Sequence, residues 1–389
     1  MLARVAPLAL ETVPLADALG RTLGEELTSL DDVPPFDSSA MDGFAVRAED
    51  TRGAAPDAPV ELTLAGESRA GSPAARGPER GEAIRISTGA MMPAGADAVV
   101  RVEDTAEREP VVEIHVEVPP GKEIRRAGED IAAGERLLSP GRVLGAAELG
   151  VAASVGAAEL RCRRRPRVSI LVTGDELVPP GRPLAPGQIR NTNGIALEAQ
   201  TRDAGAVVTE RTTVGDDYDA TVEALSLGLR EDVTITTGGV SVGPHDHVKP
   251  ALEALGVEEV FWGVALRPGK PTWFGTRDGT LVFGLPGNPV SAMVTFHLFV
   301  RPALLALTGA DPRVHRATAV MDEHYAKRPG RAHVVRCRLE ALDDGWHVCP
   351  TKAQGSHVLT SMLDAEALAY IDVDRGDVRA GERVEIEIL

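Results

Sequence analysis

Residues 236–249, Thr-Thr-Gly-Gly-Val-Ser-Val-Gly-Pro-His-Asp-His-Val-Lys, follow the apolar run Val233 to Ile235 and lead into a helical pattern at Pro250 to Leu255. A strand, a glycine-rich loop and a helix in that order suit an anion. Gly238, Gly239 and Gly243 let backbone N–H groups approach a ligand, and the helix turns its positive dipole end the same way. Lysine usage points to the same place. Of 41 basic residues only five are lysines, Lys122, Lys249, Lys270, Lys327 and Lys352. Lys249 closes the loop, and Lys270 sits in Arg267-Pro-Gly-Lys-Pro271, positions that suit a compact ammonium over a planar fork. Chance placement of five residues gives the same pattern.

Two further loops have the same character: Thr173-Gly-Asp-Glu176 and Gly284-Leu-Pro-Gly-Asn-Pro-Val-Ser291. Open parallel sheets bind ligands outside the carboxyl ends of their strands, so the three loops can share one pocket, although each alone passes as an ordinary turn. Thr237, Ser241 and Ser291 offer hydroxyls, and Arg267, Lys270 and Lys249 offer positive charge. Asp175, Glu176, Asp216 and Asp246 offer acceptor-only oxygens; carboxylates beside an anion site call for a divalent cation, and Mg²⁺ suits such ligands. Asp216 and Asp246 fit helix N-caps as well. His245 and His247 flank Asp246 without a motif that supplies a third ligand, so zinc is not indicated. Asp42 and Thr88 stand beside glycines ahead of apolar strands, where turn formation explains them as well as ligand contact does.

The chain has 389 residues, 43% hydrophobic but only 3% aromatic, enough for two to four domains with cores of Val, Leu, Ile and Ala. A net charge of −17 argues against a duplex nucleic-acid footprint. The one basic cluster, Arg161 to Arg167, is broken by Cys162 and Pro166 and reads as a solvated linker. Cys162, Cys337 and Cys349 are scattered and odd in number, as reduced cytoplasmic thiols are. Glu11 and Asp17 argue against a signal peptide, and His297, Arg301 and Pro302 make Pro289 to Leu307 a core helix, not a membrane span.

Residues 1–30 read as mixed helix and turn, with Leu15, Leu19 and Leu23 at helical spacing. Short β-like runs follow (Val60 to Ala65, Glu82 to Ile86, Ala98 to Val102, Val111 to Val118), and 136–160 returns to helical character. From Val168 strands alternate with helices, which calls for a parallel sheet with right-handed crossovers. A strand pair is expected at Phe261 to Leu266 and Leu281 to Phe283. Val334 to Leu339, Gly345 to Val348, Leu368 to Ile371 and Arg383 to Ile388 read as a closing β domain. The expected organisation is a segment from 1–30 plus 126–165, a β domain inserted at 31–125, an α/β domain at 166–312 and a β domain at 313–389.

Taken in order, Phe36-Asp-Ser-Ser-Ala-Met-Asp-Gly43, Ser87-Thr-Gly-Ala90, Gly128-Glu-Asp-Ile131, Thr173-Gly-Asp-Glu-Leu177, Thr237 to Gly243 with Asp246 and Lys249, Pro268-Gly-Lys-Pro271, Gly284 to Pro289 and Gly355-Ser-His357 resemble the molybdopterin molybdenumtransferase family. That family includes MoeA and the C-terminal domain of gephyrin. The resemblance implies an α/β and β multidomain fold: an elongated segment, an inserted β domain, a parallel-sheet molybdopterin-binding domain and a C-terminal β-barrel, paired as a homodimer with the active site between subunits. It implies that adenylylated molybdopterin and molybdate bind, that the metal passes to the dithiolene, and that AMP is released with Mg²⁺ assisting. An upstream adenylyltransferase is the implied partner; nucleic acid and membrane are not.

By resemblance Asp246, Glu176 and Asp216 are the metal-holding and catalytic carboxylates, with Lys249. Thr173, Thr237, Gly238, Gly239, Ser241, Gly243, Pro286, Gly287 and Asn288 bind the pterin substrate, and Asp42, Thr88 and Asp130 face the other subunit's site. Arg267, Lys270, Pro271, Ser291 and Ser356 correspond to molybdate-binding positions, with Arg331 or Arg336. Arg267 stands where the family often has lysine, Ser38 where it often has asparagine and Phe44 where it often has tyrosine; the first leaves molybdate or tungstate open. Two other readings compete: a gephyrin-like scaffold, which would not require the intact site residues, and an adenylyltransferase, whose domain would occupy fewer than half of these residues.

Overall fold

The computed structural model describes residues 1–239, 246–351 and 353–389. Ser241, Gly243, His245 and Lys352 lie outside the described residues. The α/β unit is a six-stranded sheet of β1 (Arg167–Thr173), β2 (Val207–Val214), β3 (Val233–Thr237), β4 (Glu258–Trp262), β5 (Trp273–Arg277) and β6 (Thr280–Leu285), in the order β2-β1-β3-β6-β5-β4. The first four run parallel, and β5 and β4 add an antiparallel edge. Every residue of β3 is buried, as a central strand covered on both faces requires. On one face lie α1 (Asn193–Asp203) and α4 (Pro289–Leu307), whose Leu197, Phe296, Val300 and Leu304 pack on Ile170, Ile235 and Phe283. On the other lie α2 (Tyr218–Gly228) and α3 (Val248–Ala254), whose Leu225, Val248 and Leu252 pack on Leu171 and Val282.

The strand pair expected after α3 is placed differently. Glu258–Trp262 and Trp273–Arg277 join the α/β sheet, while Leu266–Arg267 leaves it and pairs in parallel with Ala332 and His333 of the C-terminal sheet. That sheet closes on itself, because Ala332–Leu342 pairs with both Gly345–Pro350 and Ala367–Ile371, and Ala317–Met321 and Arg383–Ile388 complete the ring. The barrel is tied to α4 at His297, whose Nε2 lies 2.7 Å from Glu387 Oε1. α4 is long and apolar enough to cross a membrane but is mostly buried inside the protein.

A third six-stranded sheet, beside those of the α/β unit and the barrel, is built from residues 43–114, with Phe44, Leu62, Val100 and Ile114 in its core. The chain before it and the chain after it pair with each other: Leu10–Pro14 with Glu159–Arg163, and Leu27–Thr28 with Arg136–Leu138. The helical spacing of Leu15, Leu19 and Leu23 does not produce a helix beyond the single turn Leu15–Asp17, and Leu19 is 62% exposed. Gly20 adopts a φ of +69°, and Gly20 and Leu23 donate their backbone N–H groups to the Leu144 and Arg142 carbonyls, so pairing between distant segments overrides the local period. The basic cluster is no solvated linker either. Arg164 forks onto Asp232 with two bonds of 2.6 Å, Arg167 donates to Glu231, and Arg163 lies in a strand, so these arginines fasten the α/β sheet to the paired segment.

Candidate active site

Because β1, β3 and β6 are parallel, their carboxyl ends meet at one edge. There Thr173, Glu176, Asn193, Thr237, Gly238, Pro286, Gly287 and Asn288 line a cleft of about 920 Å³. Gly238 and Gly239 hold φ of +88° and +61°, and a Cβ on Gly238 would stand 2.7 Å from the Thr173 carbonyl oxygen, so only glycine lets the two loops close on each other. Thr237 donates its hydroxyl to the Pro286 carbonyl at 3.0 Å. Asn193, buried at the start of α1, donates to Thr237 Oγ1 at 3.0 Å and to the Gly287 carbonyl at 2.8 Å. One side chain thus locks two of the three loops. Among the described residues the Thr173 hydroxyl is buried without a hydrogen-bond partner, an orphan polar group at the wall of the cleft.

A second cavity of about 360 Å³ adjoins the first. Arg267, Lys270, Asn288, Ser291, Arg331, Gln354, Ser356 and His357 line it, with Leu266, Pro268, Gly269, Pro271 and Gly355. No carboxylate is among them, in a chain of net charge −17. Arg267, Lys270 and Arg331 form no ion pair among the described residues. The N-terminus of α4 opens here, with Asn288 at its cap, Pro289 at its first position and Ser291 two residues on, so its dipole adds to the positive field. Asn288 donates to Ser356 Oγ at 3.0 Å and Val290 donates its backbone N–H to the Ser356 carbonyl at 3.1 Å, which pins Ser356 over the helix end. Gly269 adopts a φ of +114°, and a Cβ there would collide with Thr295 of α4. The field reaches His333, buried below: its burial, with Arg267, Lys327 and Arg331 around it, pulls the imidazole down to about 4.

Arg331 and Arg336 occupy different levels. Arg331 is exposed on the lining. Arg336 is fully buried behind it, donating to Ser361 Oγ at 3.0 Å and to the Ala353 carbonyl at 3.3 Å, while Gln354 brackets its main chain with bonds of 3.2 and 2.9 Å. No carboxylate pairs with it among the described residues, and burial holds its guanidinium below the usual arginine range.

Other expected site residues are not brought together. Lys249 places its ammonium 3.2 Å from Glu259 and 4.6 Å from the Trp262 ring centre, and lines neither cavity. Asp216 donates its backbone N–H to Asp175 Oδ1 at 2.9 Å; the N-cap of α2 is Asp217, whose carboxylate accepts from Ala220. Asp246 directly precedes His247, the N-cap residue of α3, and Glu176 lines the larger cleft. No group of three His, Cys, Asp or Glu residues able to hold a metal is gathered among the described residues. Thr88 donates its N–H to Asp42 Oδ1 at 2.8 Å, and Asp130 lines a separate cavity beside Phe36 and Gly89 in the N-terminal half.

Residues 1–156 match the MoeA N-terminal region (domain I and II), residues 169–306 a probable molybdopterin binding domain, and residues 318–389 the MoeA C-terminal region (domain IV). The chain is 41% identical to molybdopterin molybdenumtransferase 2 of Mycobacterium tuberculosis, covering 96% of this chain and 94% of that protein. This chain belongs to the MoeA family. It is also 36% identical to the molybdopterin molybdenumtransferase of Haemophilus influenzae, over 98% of this chain and 94% of the relative. The crystal structure of the molybdopterin biosynthesis MoeA protein from Pyrococcus horikoshii OT3 superposes with a TM-score of 0.85 at 30% identity, covering 100% of this chain and 97% of that one.

The MoeA-family reading of the sequence missed Asn193 and Gln354 as site residues. Asn193 sits in Asn191-Thr-Asn193, which reads as a polar turn; its value lies in reaching two loops distant in the chain. Gln354 precedes the Gly355-Ser-His357 motif and carried no signal of its own.

Proposed function

We propose that this MoeA-family chain is a molybdopterin molybdenumtransferase: it holds adenylylated molybdopterin in the larger cleft, holds molybdate in the cationic pocket, and passes the metal to the pterin dithiolene with release of AMP. The observation that carries this reading is a pocket whose described lining has no carboxylate and three cations that form no ion pair among the described residues, set against a cleft at the carboxyl edge of a parallel sheet. A tetrahedral dianion without protons to donate is attracted by Arg267, Lys270 and Arg331 and accepts from Ser291 and Ser356. The same dianion supplies the counter-charge that Arg336, held by neutral partners, lacks. In the cleft the Thr173 hydroxyl and the Gly238 and Gly239 backbone suit the pterin phosphate, with Thr237 and Asn193 bracing the loop.

Cleavage of the phosphoanhydride by water gives AMP and the pterin phosphate. Among the described residues no three carboxylates gather around one point that would hold Mg²⁺. Glu176, Asp216 and Asp246 are the carboxylates available to it, and Mg²⁺ dependence is a separate measurement. Asp42, Thr88 and Asp130 are assigned to the opposite site of a homodimer, and the setting, with three free cysteines, to the cytoplasm. An upstream adenylyltransferase would supply the nucleotide-linked substrate.

The deciding experiment is AMP release from adenylylated molybdopterin by the purified protein, with Mg²⁺ and with molybdate or tungstate added or omitted. Oxyanion-dependent release is expected. Release that ignores the oxyanion, or none from a folded protein, refutes the assignment.

A further inference from the structure

Among the described residues the two cavities share three lining residues, Pro271, Asn288 and His357. Only His357 can carry a proton. The other charged side chains of the oxyanion pocket are Arg267, Lys270 and Arg331, and no carboxylate is among its described lining residues. Imidazole is the side chain that both takes and gives a proton between about pH 5 and 8. The ring is exposed and lies against Gly355, where a Cβ would stand 3.0 Å from its Cε1. It extends from a segment held on its N-terminal side, with Ser356 pinned to α4 and Gln354 fastened to Arg336.

Resting on the transferase reading, we propose that His357 is the proton relay of metal insertion. Joining a tetrahedral oxyanion MO₄²⁻ to a dithiol R(SH)₂ forms two metal–sulfur bonds and breaks one metal–oxygen bond, giving R(S₂)MO₃²⁻ and H₂O. No electron changes hands; both protons of the water come from sulfur. Thiols in the cleft and an oxo group in the pocket are separated by the junction where His357 stands. Its imidazole accepts a proton from an S–H on the cleft side and donates one to the departing oxygen on the pocket side. The arginines and Lys270 bind the oxyanion but cannot perform this exchange. Transfer thus depends on a group that neither substrate subsite needs for affinity.

The test is single-turnover transfer of molybdenum to the pterin, read by elemental analysis of the product, for wild type, His357→Gln and His357→Ala across about pH 5 to 8. Molybdate affinity is measured separately by equilibrium dialysis. His357→Gln is expected to slow transfer by about 100-fold or more, the size of a general acid–base contribution, with molybdate affinity within about threefold of wild type and a flattened pH profile. Added imidazole should restore part of the rate to His357→Ala. A wild-type rate and pH profile in His357→Gln overturns the relay while leaving the transferase reading intact. So does a loss confined to molybdate affinity, which would make His357 a binding residue. A wild type that transfers no metal overturns the transferase reading and the relay with it.

Discussion

At the scale of single residues the site is recognised by what is left unsatisfied. The Thr173 hydroxyl has no partner among the described residues, and a buried group without a hydrogen bond carries a cost that a bound ligand removes. Thr173→Val deletes that hydroxyl at nearly constant shape. Thermal unfolding should show unchanged or slightly higher stability, by up to about 1 kcal/mol, while the KM for the adenylylated pterin rises several-fold. A lower melting point with unchanged KM would place the hydroxyl in the fold and not in binding. His333 gives a second readout. Its imidazole is held at about 4 against 6.5 in the unfolded chain, so its contribution is fully present above pH 6.5. As pH falls from there toward 4 the unfolded chain takes up a proton that the folded chain refuses, and stability drops by up to about 1.4 kcal/mol per pH unit from this group. Denaturant titrations of wild type and His333→Gln over that window should differ in slope; parallel curves would show that the imidazole is not held neutral by its surroundings.

At the scale of elements the site depends on bonds between loops that are far apart in sequence. Asn193 opens α1 and bridges the loops after β3 and β6, so Asn193→Ala leaves the Thr237 hydroxyl with one partner fewer and the Gly287 carbonyl without this donor. A loss of about 1–3 kcal/mol in unfolding free energy is expected, with substrate affinity falling alongside it. Full stability with reduced affinity would mean that the loops hold without this bridge. The same distinction explains what was legible in the sequence. The α/β strands and the three loops at their ends were readable because each is a local pattern: an apolar run, then glycine, then a helical period. The path of Leu266–Arg267 was not, because its departure to the barrel is fixed by pairing with Ala332 and His333, 66 residues on. Leu15, Leu19 and Leu23 misled for the same reason, since strands around 10–14 and 159–163 capture that segment. Lys249 was conspicuous as a rare lysine closing a glycine loop, yet Glu259 and Trp262, which hold it, lie ten and more residues along the chain. Arg336 could not be told from Arg331 by spacing, because burial separates them and only the closed barrel decides burial.

At the scale of the whole molecule the cationic pocket is a joint. Arg267 and Lys270 come from the connection between β4 and β5, Asn288 and Ser291 from the start of α4, and Arg331 and Gln354 to His357 from the barrel unit. Neither unit holds the pocket alone. A ligand that binds only the joined state stabilises it by RT ln(1 + [L]/Kd), about 2.7 kcal/mol at a hundredfold excess over Kd. Molybdate should therefore raise the melting of the α/β unit and the barrel together, while the sheet of residues 43–114, which contributes nothing to the lining, keeps its own transition wherever it melts separately. Calorimetry with and without molybdate, at fixed ionic strength so that screening of the −17 charge does not contribute, measures this directly. Lys270→Ala should abolish most of the shift with little change in the melt of the unliganded protein, because Lys270 is exposed and forms no ion pair among the described residues. A molybdate shift confined to one of the two units, or one retained in full by Lys270→Ala, would show that the oxyanion binds somewhere other than the joint.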